Sequence, residues 1–214
     1  MTTVYYALIA DVIASRALAP KARRRLQDDL RFALREFNTR YVKDRAARFA
    51  ITLGDQVQGL LRSPRAIWEI SHGLRRKFQE VDWVVAWGKG GVSTAIPEKA
   101  SADELDGPCF HHARAALDDA KSRRLVVTFG GFEDPRVMGF ADYYSALYWS
   151  WTARQRRAAT NWRWYWDPIE ASLTPRAREK IHPSAVSHLR RRMAWPLVAA
   201  GDRVFRALLE NATR

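Results

Sequence analysis

The sequence has a single cysteine, a shortage of acidic residues, and no apolar stretch long enough to span a bilayer. One cysteine excludes an intrachain disulfide and fits a reducing cytoplasm. Because a membrane-spanning helix needs about 20 consecutive apolar residues, we expect a soluble protein with no membrane partner. The first apolar run reaches Asp11 early and has no basic segment before it, so we expect no signal peptide and a cytoplasmic location.

The shortage of acidic residues leaves a formal net charge of +13, and 47% of the residues are hydrophobic, enough to form a core. The excess is concentrated towards the C-terminus, where residues 151–214 hold 13 basic and 5 acidic side chains. Such an excess indicates a polyanionic partner, most simply nucleic acid. A solvated arginine-rich surface explains the same composition, and charge alone does not separate the two readings.

Apolar runs and helical spacing predict an alternation of strands and helices. The predicted elements are, in order, strand 4–10, helix 20–42, strands 47–53 and 56–61, helix 64–78, strand 83–87, helix 110–120 and strand 125–129. Residues 92–96 are expected to extend the fourth strand or to pair with it. This order predicts an α/β (α+β) sandwich, one sheet with helices packed on it, of the ferredoxin-like or palm type.

The pattern changes near residue 135, after which no strand signal remains. An aromatic, basic helix is predicted from Tyr143 to Ala158. We therefore predict a palm domain at 1–135 and an all-helical segment at 136–214. The boundary has no flexible linker, so the two parts are expected to pack together.

The C-terminal segment carries the pattern of a helix-turn-helix at about 173–192. Thr174-Pro175 is typical of a helix start, and a second helix begins near Pro183. Small polar residues early in that helix fit a major groove, and arginines later in it reach phosphates. The predicted DNA-binding residues are Ser184, Ser187, His188, Arg190, Arg191 and Arg192. A helical hairpin that covers the sheet or forms a dimer interface is the alternative.

Two aspartates stand at the ends of predicted strands. Asp11 ends the first strand, and Gly54-Asp55 lies in the turn of the hairpin. Each alone is explained by a turn. Strand ends that meet at one edge of a sheet bring two carboxylates together, and such oxygen ligands suit Mg²⁺ or Mn²⁺. Together in one sheet, the pair predicts a metal site at Asp11 and Asp55.

Four stretches of the chain resemble the SatD family of bacterial proteins. They are residues 6–16, 49–61, 88–94 and 106–114. The C-terminal helix-turn-helix also fits that family, so the resemblance extends over nearly the whole chain. The family usually has an acidic residue after the Gly-Asp pair, and this chain has Gln56 there. A third carboxylate is therefore missing.

The same stretches are similar, more distantly, to the class III nucleotidyl cyclases. That likeness implies metal ions on Asp11 and Asp55, a nucleoside triphosphate as ligand or substrate, and a homodimer. It implies catalytic roles for Asp11, Asp55 and Arg114. It also implies a nucleotide or phosphate site formed by Ile13, Ala14, Ser15, Arg16, Gly54 and His111. The asparagine of the cyclase transition-state pair is replaced by His111, and the spacing to Arg114 is one residue short.

Two functions follow from these features, and a scaffold that keeps the fold without either activity is the third option. In the first, the palm binds a nucleotide with a metal ion, the helix-turn-helix binds DNA, and the ligand alters DNA affinity. In the second, the chain is a metal-dependent nucleotidyl cyclase or nucleotidyltransferase. The basic C-terminal segment and the altered transition-state pair favour the regulator.

Overall fold

The computed structural model describes residues 3–52, 54–164 and 183–211, which form five strands and seven α-helices. In chain order they are β1 (Tyr5–Val12), α1 (Pro20–Arg40), β2 (Arg45–Ile51), β3 (Val57–Leu61), α2 (Ile67–Lys77), β4 (Trp83–Gly90), α3 (Pro108–Arg123), β5 (Val127–Gly130), α4 (Pro135–Ser150), α5 (Ala153–Trp164), α6 (Pro183–Arg192) and α7 (Trp195–Asn211). The predicted order of strands and helices up to β5 is confirmed. None of the described helices has the length and apolarity needed to cross a membrane.

The strands form one mixed sheet in the order β2-β3-β1-β4-β5. Strand β1 lies at its centre and is antiparallel to both β3 and β4, with Ala10 opposite Val57 and Val85. Strand β5 is parallel to β4, and helix α3 makes the crossover that a parallel pair requires. The first four strands have the order of a ferredoxin-like sheet, so the predicted α/β class is confirmed.

Both faces of the sheet are covered, which explains the continuous apolar sequence of β1. Side chains alternate between the two faces of a strand. Leu8 belongs to a large core with residues of α1, α2, α4 and α7, including Trp68 and Phe205. Ala7 and Ile9 belong to a second core, formed mainly against α3.

Helix α3 packs unusually close to the sheet because two glycines face it. A Cβ added to Gly88 would lie 1.9 Å from the Cys109 carbonyl oxygen, and one on Gly130 would lie 2.4 Å from the His112 carbonyl oxygen. The predicted fourth strand ended at Trp87, but β4 continues to Gly90. Gly88 and Gly90 therefore belong to the strand and are not part of a turn that ends it. In the strand they allow the helix backbone to approach closely.

Two other predicted elements differ from the structure. Residues 92–96 have irregular backbone and add no strand. The single helix predicted from Tyr143 to Ala158 is two helices, α4 and α5, separated at Trp151-Thr152. Thr152 and Gln155 form reciprocal hydrogen bonds of the capping-box type, and these bonds satisfy the amides at the start of α5.

The C-terminal helices share the core of the sheet domain. Phe205 of α7 stacks on Phe140 of α4 with ring centroids 3.9 Å apart. Arg163 of α5 donates to Asp202 of α7 at 2.6 Å, and both side chains are 3% exposed. This ion pair lies within the C-terminal part. The seam to the part before residue 135 is aromatic, since the Phe205 ring centroid lies 5.1 Å from that of Trp68 and 5.6 Å from that of Phe129.

The helix-turn-helix lies partly outside the described residues, because the sequence pattern predicts its first helix, which starts at Thr174-Pro175, over residues 175–181. Its second helix is α6. The tight turn that is described follows α6, at Met193-Ala194, where Ala194 adopts φ 48°. This turn leads directly into α7.

Substitution of Gly88 by alanine should destabilise the fold, because the new methyl group would meet α3 backbone atoms that cannot move independently. We expect a loss of about 3 kcal/mol in the free energy of unfolding, the upper part of the range for overpacked sites. Chemical denaturation monitored by circular dichroism measures it. Gly139→Ala is the matched control: a Cβ there meets no described atom within 4 Å, so this change within helix α4 should stabilise by about 0.5–1 kcal/mol. Equal effects of the two changes would contradict the close approach.

Candidate functional site

A cavity of about 360 Å³ opens at the C-terminal end of β1. Its volume falls within the range of about 300–1,000 Å³ that is usual for ligand pockets. Its lining comes from the end of β1 and the following loop, the end of α3, and α4: Asp11, Val12, Ile13, Ala14, Ser15, Arg16, Val84, Ala120, Lys121, Arg124, Leu125 and Trp149. The structure thus brings Asp11 together with the four predicted loop residues.

Asp11 points towards α3, on the same face of β1 as Ala7 and Ile9. Its Oδ2 atom lies 2.5 Å from the Nζ atom of Lys121, near the C-terminal end of α3. The Asp11 side chain is 19% exposed and that of Lys121 is 47% exposed. The carboxylate predicted to bind a metal ion therefore already has a cationic partner, which itself faces the cavity.

The loop after Asp11 is held in one conformation by neighbouring elements. Ala14 adopts φ 57° and ψ 29°, in the left-handed region, and a turn of 3₁₀-helix follows at Ser15–Ala17. Arg23 of α1 donates to the carbonyl oxygens of Ser15 and Arg16 at 3.2 and 2.9 Å. A left-handed alanine is strained, and strained backbone concentrates at ligand-binding sites.

Trp149 forms the aromatic wall of the cavity. Its Nε1 atom donates to the carbonyl oxygen of Arg124 at 2.7 Å. The guanidinium groups of Arg124 and Arg156 each lie 5.4 Å from its ring centroid. The indole is therefore fixed by a hydrogen bond and by cation–π contacts. The described lining carries three cationic side chains, those of Arg16, Lys121 and Arg124, and one carboxylate, that of Asp11.

Buried polar contacts support the cavity from behind. The Asp82 carbonyl oxygen accepts from the Ile13 amide at 2.8 Å, and the Asp82 side chain accepts from the Tyr148 hydroxyl at 2.6 Å. Burial raises the pKa of Tyr148, and the bond to Asp82 adds to the shift, so the hydroxyl stays a donor. Arg75, which is buried, donates to the carbonyl oxygens of Trp83 and Val126.

Burial raises the pKa of the Cys109 thiol to about 11, so this cysteine is a packing residue.

The hairpin turn with Asp55 lies at the same end of the sheet as Asp11, because Ala10 pairs with Val57. Gly54 adopts φ 62°, as the turn requires, and its carbonyl oxygen accepts from Gln27 of α1 at 3.2 Å. One carboxylate oxygen of Asp55 is buried and has no hydrogen-bond partner among the described residues. Asp55 and Gly54 are not among the residues that line the cavity.

The two residues at the positions of the transition-state pair, His111 and Arg114, contact different partners. Arg114 donates from Nη2 to the Oε1 atom of the buried Gln56 at 2.8 Å. His111 lies at the start of α3, where its Nε2 atom is 2.9 Å from Asp106. That end of α3 borders the C-terminal end of β4, and Gly90 there pairs with Tyr5. His111 is therefore at the opposite end of β1 from Asp11.

The arrangement does not fit a two-ion site as it stands. The described residues contain no group of three or more histidine, cysteine, aspartate and glutamate side chains that could hold a metal ion. Asp11 is paired with Lys121, and Gln56 offers an amide that already accepts from Arg114. Asp55 by itself supplies at most two of the six oxygen ligands that Mg²⁺ takes.

Helix α6 exposes every residue that was predicted to contact DNA. They are Ser184, Ser187, His188, Arg190, Arg191 and Arg192. Its inner side carries Val186 and Leu189, which pack against a cluster containing Trp151, Trp162 and Trp195. The outer side is thus small and polar early and basic late, on a helix anchored by tryptophans.

Among the polar and aromatic residues of the cavity, sequence reasoning missed Lys121, Arg124 and Trp149. Lys121 follows Arg114 by seven residues and therefore lies on the same side of α3, so helical spacing from Arg114 was an available signal. Trp149 comes from a helix beyond the predicted domain boundary. Nothing in its local sequence indicates a neighbour on β1.

Substitution of Ala14 by glycine should leave the protein equally stable or make it more stable by up to about 1 kcal/mol, because glycine adopts the left-handed conformation without strain. The matched control is Ala17→Gly, three residues after the loop's left-handed position. It should lower the free energy of unfolding by about 0.5–1 kcal/mol, because glycine gains more freedom on unfolding. Urea denaturation measures both, and equal losses would contradict the conformation of the loop.

A model of the SatD family matches residues 5–124. No curated protein matches the chain. The matched segment begins with β1 and ends with Arg124, directly after α3, so it contains Asp11, Asp55, Arg114 and Lys121. It does not reach the C-terminal helices, which the resemblance had been expected to include. The match covers more than half of the sequence, and the chain belongs to the SatD family.

Proposed function

We propose that the chain is a regulatory protein that binds a phosphorylated nucleotide in the cavity at the end of β1 and binds DNA through the exposed side of α6. The observation that carries the proposal is the cavity itself. It joins a strained loop, three cationic side chains and a fixed indole at one strand end.

The lining suits a nucleotide because its parts match the parts of that ligand. Arg16, Lys121 and Arg124 attract phosphate oxygens, and an arginine forms paired hydrogen bonds with them. Trp149 offers a flat apolar surface on which a base can stack. A cavity with a net positive charge raises the local concentration of an anionic ligand.

DNA binding is supported by the outer side of α6. Ser184 and Ser187 are short enough to let a helix approach base edges, and Arg190–Arg192 are placed to reach phosphates. Its inner side packs on tryptophans, so the helix is presented on a rigid support. In the alternative, α6 only packs against the rest of the chain and its three exposed arginines are solvated surface residues.

A short path joins the two proposed sites. Trp149 lines the cavity, and Trp151, two residues later, lies in the cluster beneath α6. Arg156 spans the junction, since its side chain donates to the Trp151 carbonyl oxygen at 2.8 Å and lies over Trp149. A ligand can alter DNA affinity through this path only if the junction has two arrangements and the ligand binds one of them more tightly. A shift of Trp149 on binding would provide that difference.

A metal-dependent nucleotidyl cyclase or nucleotidyltransferase is the second candidate. The unpartnered buried oxygen of Asp55, close to the end of β1, favours it. The separation of His111 from Asp11 and the bond between Arg114 and Gln56 weigh against it. In enzymes of this kind the site is completed by a second chain, so this candidate also requires a homodimer.

We expect ATP or GTP to quench the fluorescence of Trp149 with a saturable dependence on concentration. Removal of one charged contact by Arg124→Gln should weaken nucleotide binding about tenfold, since a hydrogen bond to a charged group contributes about 1.5–3 kcal/mol. Titration calorimetry checks the affinity. The matched control is Lys43→Gln in the turn before β2, at the opposite end of the sheet, which should leave affinity unchanged.

Absence of saturable binding, or an equal loss in the control, would contradict the nucleotide site. Mass spectrometry of the same mixtures with added Mn²⁺ separates a binder from an enzyme. A cyclic or transferred product that disappears in Asp55→Asn would establish the second candidate in place of the first.

Replacement of Arg190, Arg191 and Arg192 by glutamine should weaken DNA binding and reduce its salt dependence. Each lost phosphate contact lowers the slope of log K against log salt by about 0.9, so three contacts lower it by about 2.7. Fluorescence anisotropy with labelled duplex over a series of salt concentrations measures this slope. The matched control replaces Arg24, Arg25 and Arg31, three exposed arginines of α1. Equal changes in both variants would show a diffuse charge effect and would contradict a site on α6.

A further inference from the structure

We propose that the cavity binds its nucleotide without a divalent metal ion, and that the Lys121 ammonium group occupies the position between Asp11 and the phosphates. The inference rests on the nucleotide-binding part of the proposed function. It concerns how this chain neutralises the phosphates, and it differs from the metal site that the two aspartates predicted.

The first argument is the contact between Asp11 and Lys121. At 2.5 Å the ammonium group lies within direct hydrogen-bond distance of the carboxylate. The Asp11 side chain is largely buried, so little of its surface remains for another cation. A divalent ion at Asp11 would have to displace Lys121 and leave that charge without its carboxylate in an already positive cavity.

The second argument is the placement of the Lys121 side chain. It lines the cavity and is about half exposed, so its ammonium group faces Asp11 on one side and the open volume on another. An ammonium group has three donors, and one carboxylate does not use them all. A cation held between a carboxylate and a phosphate is the arrangement that a divalent ion provides in metal-dependent sites.

The third argument is the charge of the surrounding side chains. Arg16 and Arg124 add two further positive charges to the lining, and Asp11 is its one carboxylate among the described residues. Gln56, next to Asp55, is neutral and accepts from Arg114. Divalent ions bind where carboxylates accumulate. Here the protein itself supplies the positive charge that a polyphosphate needs.

The ligand class follows from these contacts. A free, unchelated nucleoside di- or triphosphate carries more negative charge than its magnesium complex and should be the preferred form. Added Mg²⁺ should therefore leave the affinity of the natural chain unchanged or lower it.

The test compares nucleotide affinity in excess EDTA and in excess Mg²⁺, with ATP and pyrophosphate as probes and the full chain as the protein. The natural sequence should bind ATP in EDTA at least as tightly as in Mg²⁺. Lys121→Gln should bind about tenfold more weakly in EDTA, through loss of a charged hydrogen bond and repulsion by the freed Asp11. Excess Mg²⁺ should restore its affinity to within about threefold of the natural chain, because the ion then bridges Asp11 and the phosphate.

Lys43→Gln, which removes the same charge far from the cavity, should bind ATP as the natural chain does in both EDTA and Mg²⁺. Since Lys121 is about half exposed, its substitution should not disturb folding, and circular dichroism checks this. Binding of ATP by the natural chain only in Mg²⁺ would overturn the inference and leave nucleotide binding intact. Metal-independent binding that Lys121→Gln does not alter would overturn the role of Lys121. Absence of binding in both conditions would overturn the proposed function as well.

Discussion

The close approach of helix α3 to strands β4 and β5 governs the geometry of the candidate site. Gly88 and Gly130 carry no side chains, so the helix backbone lies directly against the sheet. That contact sets the height of α3 above β1 and β3. It allows two side chains of the helix, Arg114 and Lys121, to reach polar groups at the strand ends. If the helix lay farther from the sheet, these side chains would remain in solvent.

The same end of the sheet is closed from the other side by helices that follow β5. Tyr148 holds Asp82, and Asp82 in turn holds the loop after Asp11. Arg163 and Asp202 tie α5 to α7 beneath the aromatic rings of Tyr144, Trp151 and Trp195. A buried ion pair of this kind is weak evidence for stability, but its loss would leave a charge uncompensated. The cavity and α6 therefore share one rigid support.

Much of the fold was predictable from local sequence patterns. The predictions that were wrong failed for physical reasons. Residues 4–10 are continuously apolar, which predicts a buried strand, and the apolar residues of α1 recur at helical spacing. The break between α4 and α5 was missed because the capping pair Thr152 and Gln155 lies inside an aromatic segment that reads as one helix. Residues 92–96 are apolar enough for a strand, but β4 already has β1 and β5 as neighbours.

Residue type and spacing are enough to predict the order of elements, the position of Asp11 and Asp55 at strand ends, and the basic, small-polar character of α6. Which groups meet depends instead on tertiary packing. It paired Asp11 with Lys121, 110 positions away in the chain, joined Arg114 to Gln56, and set Trp149 against the loop. Such contacts depend on how closely a helix approaches a sheet and on which residues of distant elements share one end of it. The spacing of residues along the chain indicates neither the distance between helix and sheet nor which distant residues share one end of the sheet.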